Sequence, residues 1–177
     1  MFSRLTWEAF QHDMVQNTAV YSGLFTGLLL LALITYLRRW KWLWSEWITT
    51  TDHKKIGIMY IAVVIVMFLK GFADAMMMRL QQATAVGESE GFLHATHFQE
   101  IFSAHGSTMI FFVAMGFMFG IMNLIVPLQI GARDLAFPFL NAVSFWLFAA
   151  GGMLILASLA IGHFSISGWL SYPLSPN

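Results

Sequence analysis

Four long apolar runs alternate with short polar stretches along the chain. The first, Ala19–Leu37, holds no charged residue. The second, Ile56–Met78, is interrupted by Lys70 and Asp74. The third runs from about Ile101 to Ala132, and the fourth is Leu135–Gly162. A helix needs about 20 apolar residues to cross the hydrocarbon core of a bilayer. Each run meets that length, so the pattern predicts an all-α, polytopic helical membrane protein with four transmembrane helices. Pro127 is expected to kink or end the third helix, because proline removes a helical hydrogen bond and crowds the preceding turn. No internal repeat or low-complexity tract interrupts the series.

Composition reinforces this reading. Of 177 residues, 58% are hydrophobic and 10% are charged, with a mean hydropathy of +0.70. Soluble domains carry about 25% charged residues. The formal net charge is zero, which gives nucleic acid nothing to bind. The absence of cysteine excludes disulfides, zinc–thiolate sites and iron–sulfur clusters within the sequence. A buried metal must then be held by histidine and carboxylate, or arrive inside a macrocycle. Residues 1–18 hold Arg4, Glu8 and Asp13 and lack the pattern of a cleaved signal peptide. They read as a periplasmic segment before an extra N-terminal helix over 19–37.

The loops orient the spans. Arg38, Arg39, Lys41, Lys54 and Lys55 lie between the first two runs, whereas Arg79 stands against Glu88, Glu90 and Glu100 between the second and third. The positive-inside rule puts the basic loop in the cytoplasm. The N-terminus and the glutamate-bearing loop are then outside, and Arg133-Asp134 is inside. Trp40, Trp42, Trp44 and Trp47 surround the basic cluster as an interfacial belt, which suits anchoring better than chemistry.

Several polar groups stand where lipid is expected. His105 opens the uncharged stretch Gly106–Ala132. An imidazole at the mouth of a span can be an interfacial tip, a member of a proton relay or an axial ligand to a buried metal or haem. Lys70 and Asp74 are one turn apart on one helix face. Each costs about 2.5–3.5 kcal/mol at the membrane centre, which pairing would offset. The pair can merely fix packing, but intramembrane charges also mark ligand or proton paths. Arg79 is off that face, where it either snorkels or binds a propionate or carbonyl oxygen. His94, His97 and Glu100 precede the third span at helical spacing. They fit a metal site, a polar loop, or a group that reaches back toward Lys70 and Asp74. Imidazole and carboxylate together suit a dihydroxy aromatic ligand whose protons leave with its electrons. At the opposite end Asn123, Gln129, Asp134, Asn141 and Ser144 read either as interhelical glue or as a water-filled proton entrance. His163 reads as a surface imidazole at the end of the fourth span.

The string Thr51-Asp52-His53-Lys54-Lys55-Ile56-Gly57-Ile58-Met59-Tyr60 resembles the entrance to the first helix of haem–copper oxidase subunit I. So do Ala104-His105-Gly106, Met109-Ile110-Phe111-Phe112, Asn123 through Ala132, Phe137 through Asn141, and Ser144-Phe145-Trp146. The resemblance covers about residues 50–172. Gly71-Phe72-Ala73-Asp74, Met77-Met78-Arg79 and Gln81-Gln82-Ala83, together with the extra helix over 19–37, resemble the cytochrome bo-type ubiquinol oxidases. Residues 50–177 then correspond to the N-terminal part of the subunit I bundle, with spans at about 56–79, 101–129 and 135–163.

The resemblance implies roles position by position. His105 matches an axial ligand of the low-spin haem, of b type, and Arg79 matches an arginine at that haem's periphery. Asp74 and His97 match quinol-site residues, and Lys70 and Glu100 stand at two further positions of that site. Asp134 matches the acid at the entrance of a proton path, with Asn123 and Asn141 in its polar lining. Two departures are visible: the ubiquinol-oxidase pattern has arginine at position 70 and glutamine at position 100. Lysine is a point charge where arginine is a planar fork, and a glutamate at position 100 resembles related menaquinol enzymes, so the resemblance implies either ubiquinol or menaquinol. The family's activity is oxidation of quinol and reduction of oxygen to water at a haem–copper centre, coupled to proton pumping in the bacterial inner membrane. The high-spin haem, the copper and the second low-spin haem ligand belong to later helices. The implied partners are those remaining helices of subunit I, subunits II, III and IV, quinol and the lipid bilayer. The ending Tyr172-Pro173-Leu174-Ser175-Pro176-Asn177 looks like a cut before a further helix, and the chain alone is expected to be inactive. The alternatives are a truncated quinone- or haem-binding membrane protein, with His105 and His163 as a ligand pair, and an assembly subunit.

Overall fold

The structure is a computed structural model that describes residues 14–160 and 165–170. His163 lies outside the described residues. Every regular element among them is helical.

Helix α1 spans Met14–Tyr36, beginning five residues ahead of the expected boundary at position 19. Arg38 adopts a left-handed φ of 52°, which ends α1 and turns the chain. The short helix α2, Trp40–Leu43, continues as a π-helical turn over Trp44–Ile48. This piece lies at 109° to α1.

Helix α3, His53–Thr84, is the axis of the fold. Asp52 caps it in extended geometry, its carboxylate accepting from the Lys54 amide at 2.9 Å. That satisfies one of the free amides at a helix start. At 32 residues and 1.5 Å per residue, α3 is roughly 48 Å long, so it extends past a hydrocarbon core of about 30 Å. Helix α4 covers Ala95–Ser107. It runs through a π-helical segment, Thr108–Ala114, into α5, Met115–Gln129. Pro127 sits two residues before the end of α5, which closes with Gly131 at φ 66°. The proline thus lies inside the helix near its end, and the helix stops two residues beyond it. Helix α6 is Pro138–Ala160.

Among the described residues, three stretches are long and apolar enough to cross a membrane: His53–Thr84, Ala95–Gln129 and Pro138–Ser158. The bent pair of α1 and α2 is a fourth if it is counted as one span.

Helix α3 packs along α4, the π segment, α5 and α6. Ile56, Tyr60 and Phe145 form the buried cluster, with Met59, Val63, Ala142, Phe148 and Ala149 around it. Tyr60 meets Phe145 edge-on at 5.1 Å between ring centroids, a preferred aromatic geometry. Helices α3 and α5 approach closely at Gly57, where an added Cβ would lie 3.0 Å from the Gly120 carbonyl oxygen and 2.7 Å from Leu124 Cγ. Small residues at such crossings are characteristic of helix association in lipid.

Candidate functional site

Two groups of polar side chains occupy opposite ends of the α3–α5 assembly. The first lies where α3 and α4 run antiparallel. Cross-links at three heights fix their register. Near the connecting loop, the Gln81 side chain donates to the carbonyls of Glu90 at 2.7 Å and Leu93 at 3.3 Å. Its oxygen accepts from the amides of Phe92 and Leu93, both at 2.9 Å. Deeper in the bundle, His105 Nδ1 is 2.9 Å from the carbonyl oxygen of Gly71. Deeper still, Lys70 Nζ reaches Thr108 Oγ1 at 3.4 Å.

The His105–Gly71 contact determines what the imidazole can do. A carbonyl oxygen only accepts, so Nδ1 carries the proton and donates. In a neutral ring held this way, Nε2 is the nitrogen that keeps a lone pair. Metal-ligating histidines usually hold their second nitrogen against a carbonyl or carboxylate in this manner. Gly71 leaves room for Met109 beside this contact: an added Cβ would come within 2.6 Å of Met109 Sδ, while 3.9 Å from His105 Nδ1 is ordinary contact. The residues present therefore fit an axial haem ligand, and the observation that carries the fit is the carbonyl on Nδ1.

Lys70 and Asp74 form the expected pair at 2.5 Å. Their side chains are 17% and 8% exposed. Burial of this degree removes most of the hydration of both ions, so the pair stands only while both partners are present. Thr108, 0% exposed, gives the ammonium a further oxygen. His97 and Glu100 are buried on α4. Both fall in sequence between the Gln81 and Gly71 cross-links, the stretch of α4 that faces the part of α3 carrying Asp74. At 1.5 Å per residue, Glu100 is roughly 7.5 Å along α4 from His105. His94 is different: it is the exposed N-cap residue of α4. The possible metal site of His94, His97 and Glu100 is accordingly not assembled. Among the described residues no group of three or more histidine or acidic side chains is placed to hold an ion. Arg79 is exposed and donates to Gln82 Oε1 at 3.3 Å.

The π segment begins three residues after His105. Wider turns of this kind shift the side chains that follow and occur often at functional sites. Here the segment starts with Thr108, the residue that meets Lys70.

At the opposite end Asn123 is buried and Asn141 half-buried. The Asn141 amide donates to Asn123 Oδ1 at 2.6 Å, and the Asn123 amide donates to the Phe119 carbonyl at 2.9 Å. His53, 2% exposed, places Nδ1 2.8 Å from the Asn123 carbonyl oxygen. Tyr60 and Ser144 share a hydrogen bond of 3.2 Å. Asp134 is exposed, and its carboxylate accepts from the Leu135 amide at 2.8 Å.

Sequence reasoning found the Lys70–Asp74 pair and named Asn123 and Asn141 as polar groups at one end, without pairing them, but missed His53 and Gln81. His53 carried a signal in its charged, otherwise exposed surroundings at the start of an apolar run. Gln81 carried none.

The comparisons with known proteins bear on both ends. Residues 55–176 match the family described as cytochrome c and quinol oxidase polypeptide I. The chain is 49% identical over 174 residues to cytochrome bo(3) ubiquinol oxidase subunit 1 of Buchnera aphidicola subsp. Acyrthosiphon pisum, with 98% of this chain and 26% of that protein covered. It is 53% identical over 146 residues to quinol oxidase subunit 1 of Bacillus subtilis, covering 82% of this chain and 22% of the relative. It is 48% identical over 176 residues to a probable cytochrome c oxidase subunit 1 of Bradyrhizobium diazoefficiens, covering 98% and 26%. The chain thus spans about a quarter of the length of these curated relatives. The ordered helices and the match over residues 55–176 lead to one conclusion: the chain belongs to the cytochrome c and quinol oxidase polypeptide I family.

Proposed function

We propose that this chain is the N-terminal portion of the catalytic subunit of a respiratory quinol oxidase in a bacterial inner membrane. In this reading Lys70, Asp74, His97 and Glu100 bind quinol, ubiquinol or menaquinol, near the outer face. His105 is an axial ligand of a low-spin haem beside them, and Arg79 lies at its periphery. Asp134, with Asn123 and Asn141, forms a proton entrance at the inner face. The observation that carries the reading is His105 itself: its ligating nitrogen is left available by the Gly71 carbonyl, and Gly71 follows Lys70 in the chain. A ligand site and a charged, buried pair therefore share one turn of α3.

The residues suggest a division of labour. Lys70 and Thr108 present donors to a quinone oxygen. The carboxylates of Asp74 and Glu100 and the imidazole of His97 accept the two protons that leave when a quinol loses two electrons. A low-spin haem, which His105 would hold, would take the electrons one at a time. The Gly71 carbonyl orients the imidazole and raises its basicity toward iron. Reduction of oxygen at a haem–copper centre, the rest of the proton path and contacts with subunits II, III and IV belong to helices and chains beyond this one.

The test uses the full-length subunit in its purified complex, with quinol and reduced cytochrome c offered separately as donors. Quinol turnover is expected, and Asp74→Asn should lower it at least about tenfold with haem content unchanged. Turnover with cytochrome c alone, or an Asp74→Asn enzyme as fast as the parent, would contradict the proposal.

A further inference from the structure

The elbow between α1 and α3 carries a second kind of site. Arg38, at φ 52°, ends α1, and the following helical piece lies across it at 109°. Trp40 Nε1 donates to Thr35 Oγ1 at 3.1 Å, tying the new helix to the last turn of α1. Trp42 and Trp47 meet edge-on at 6.0 Å. Trp40, Trp42 and Trp44 remain 46%, 48% and 62% exposed. A shallow, open groove lies over Trp40, Lys41, Trp44 and Ser45, along one face of this helical piece.

The charges around this groove are unbalanced. Arg38, Arg39 and Lys41 are all exposed. Glu46, the nearest acid, is paired with Lys55 at 2.5 Å. No ion pair joins the three cations to an acid among the described residues. Three cations beside exposed indoles, on a helix turned across the end of an apolar span, match one chemistry. The cations take a phosphodiester, and the indoles sit at headgroup depth. The exposed indole faces of Trp40 and Trp44 take the glycerol and upper acyl chain. A nucleic acid or acidic peptide would not require indoles at the end of an apolar span.

We propose that the Arg38–Ser45 elbow binds the headgroup of an anionic phospholipid, with Arg38, Arg39 and Lys41 on the phosphate and Trp40 and Trp44 against the lipid body. At about fivefold per basic residue near an anionic surface, three charges together give a preference of about a hundredfold. The inference depends on a membrane setting and not on the quinol reading.

The full-length subunit in its purified complex, in detergent, is exposed to photoactivatable phosphatidylglycerol or phosphatidylcholine, and the labelled peptides are mapped. Phosphatidylglycerol should label residues 37–48 about a hundredfold more efficiently than phosphatidylcholine. R38Q/R39Q/K41Q should reduce that preference to within a few-fold, and R38K/R39K should largely keep it. Raising the salt on the parent complex from about 0.05 to 0.5 M should erase most of the preference by screening, which decides the matter if the triple variant does not assemble. Equal labelling by the two lipids, or a preference indifferent to salt or to the triple substitution, overturns the proposal. So does complete competition by millimolar inorganic phosphate, which would mark a free-anion site. Cross-linking of this segment to another protein segment instead of lipid would show that protein covers it, and overturns the proposal equally.

Discussion

Single contacts decide the chemistry of this chain. His105 differs from an interfacial imidazole because Nδ1 donates to the Gly71 carbonyl on the neighbouring helix, which fixes that edge of the ring and keeps Nδ1 from serving as a ligand. Lys70 is held by Asp74 and Thr108. Removing one member of such a buried pair strands the other, at a cost of about 3–5 kcal/mol. Lys70→Met is therefore expected to lower the thermal inactivation temperature of the full complex markedly and to reduce quinol turnover. Lys70→Arg, which keeps the charge and restores the residue of the ubiquinol-oxidase pattern, should retain the stability and change mainly the KM for quinol. Assays of turnover and thermal inactivation on both variants check this. The Lys70–Asp74 pair was legible because residues four apart on a helix face one another. The partners of His105 and His53 were not, because each is a backbone carbonyl on another helix. Sequence spacing carries no information about such contacts.

Helices and their junctions set these contacts. The α4–α5 span is continuous through its π segment, which brings Thr108 to Lys70. The hydrophobic pattern foretold a span of about the right extent, but an apolar run looks the same whether its turns are α or π. The expected helix starts at positions 19 and 101 fell inside longer helices, Met14–Tyr36 and Ala95–Ser107. Lipid-length reasoning locates the apolar centre of a helix, and polar turns such as Ala95–Glu100 extend it. The packing of α3 on α5 rests on close approach at Gly57. Gly57→Ala would press its Cβ on the Gly120 carbonyl and the Leu124 side chain. Overpacking of this kind costs about 1–3 kcal/mol, and a lower inactivation temperature of the complex is the expected outcome. Tyr60→Phe removes only the bond to Ser144, a loss of about 0.5–1.5 kcal/mol. Thermal scans of the two variants should therefore rank Gly57→Ala below Tyr60→Phe.

Across the whole molecule, the spans bury little of themselves against one another. Only 33%, 22% and 17% of the apolar windows in the three spans are buried within the chain, and α1 is exposed along nearly all of its length. Faces of this kind suit lipid or packing against other helices. Fold class and span order were readable from hydropathy, because a membrane demands long apolar helices. The candidate sites were readable in part: Lys70, Asp74, His105, Asn123 and Asn141 stood out as polar groups in apolar surroundings. Arg79 and Asp134 are exposed here and gain their proposed roles only beside groups this chain does not contain. The central claim is that His105 holds the low-spin haem. It is tested most directly by the reduced-minus-oxidised optical spectrum of the full-length subunit carrying His105→Ala, with His53→Ala as the control for loss of a buried imidazole. The bis-histidine haem band should vanish in the first variant and persist in the second. Survival of the band in His105→Ala would contradict the claim.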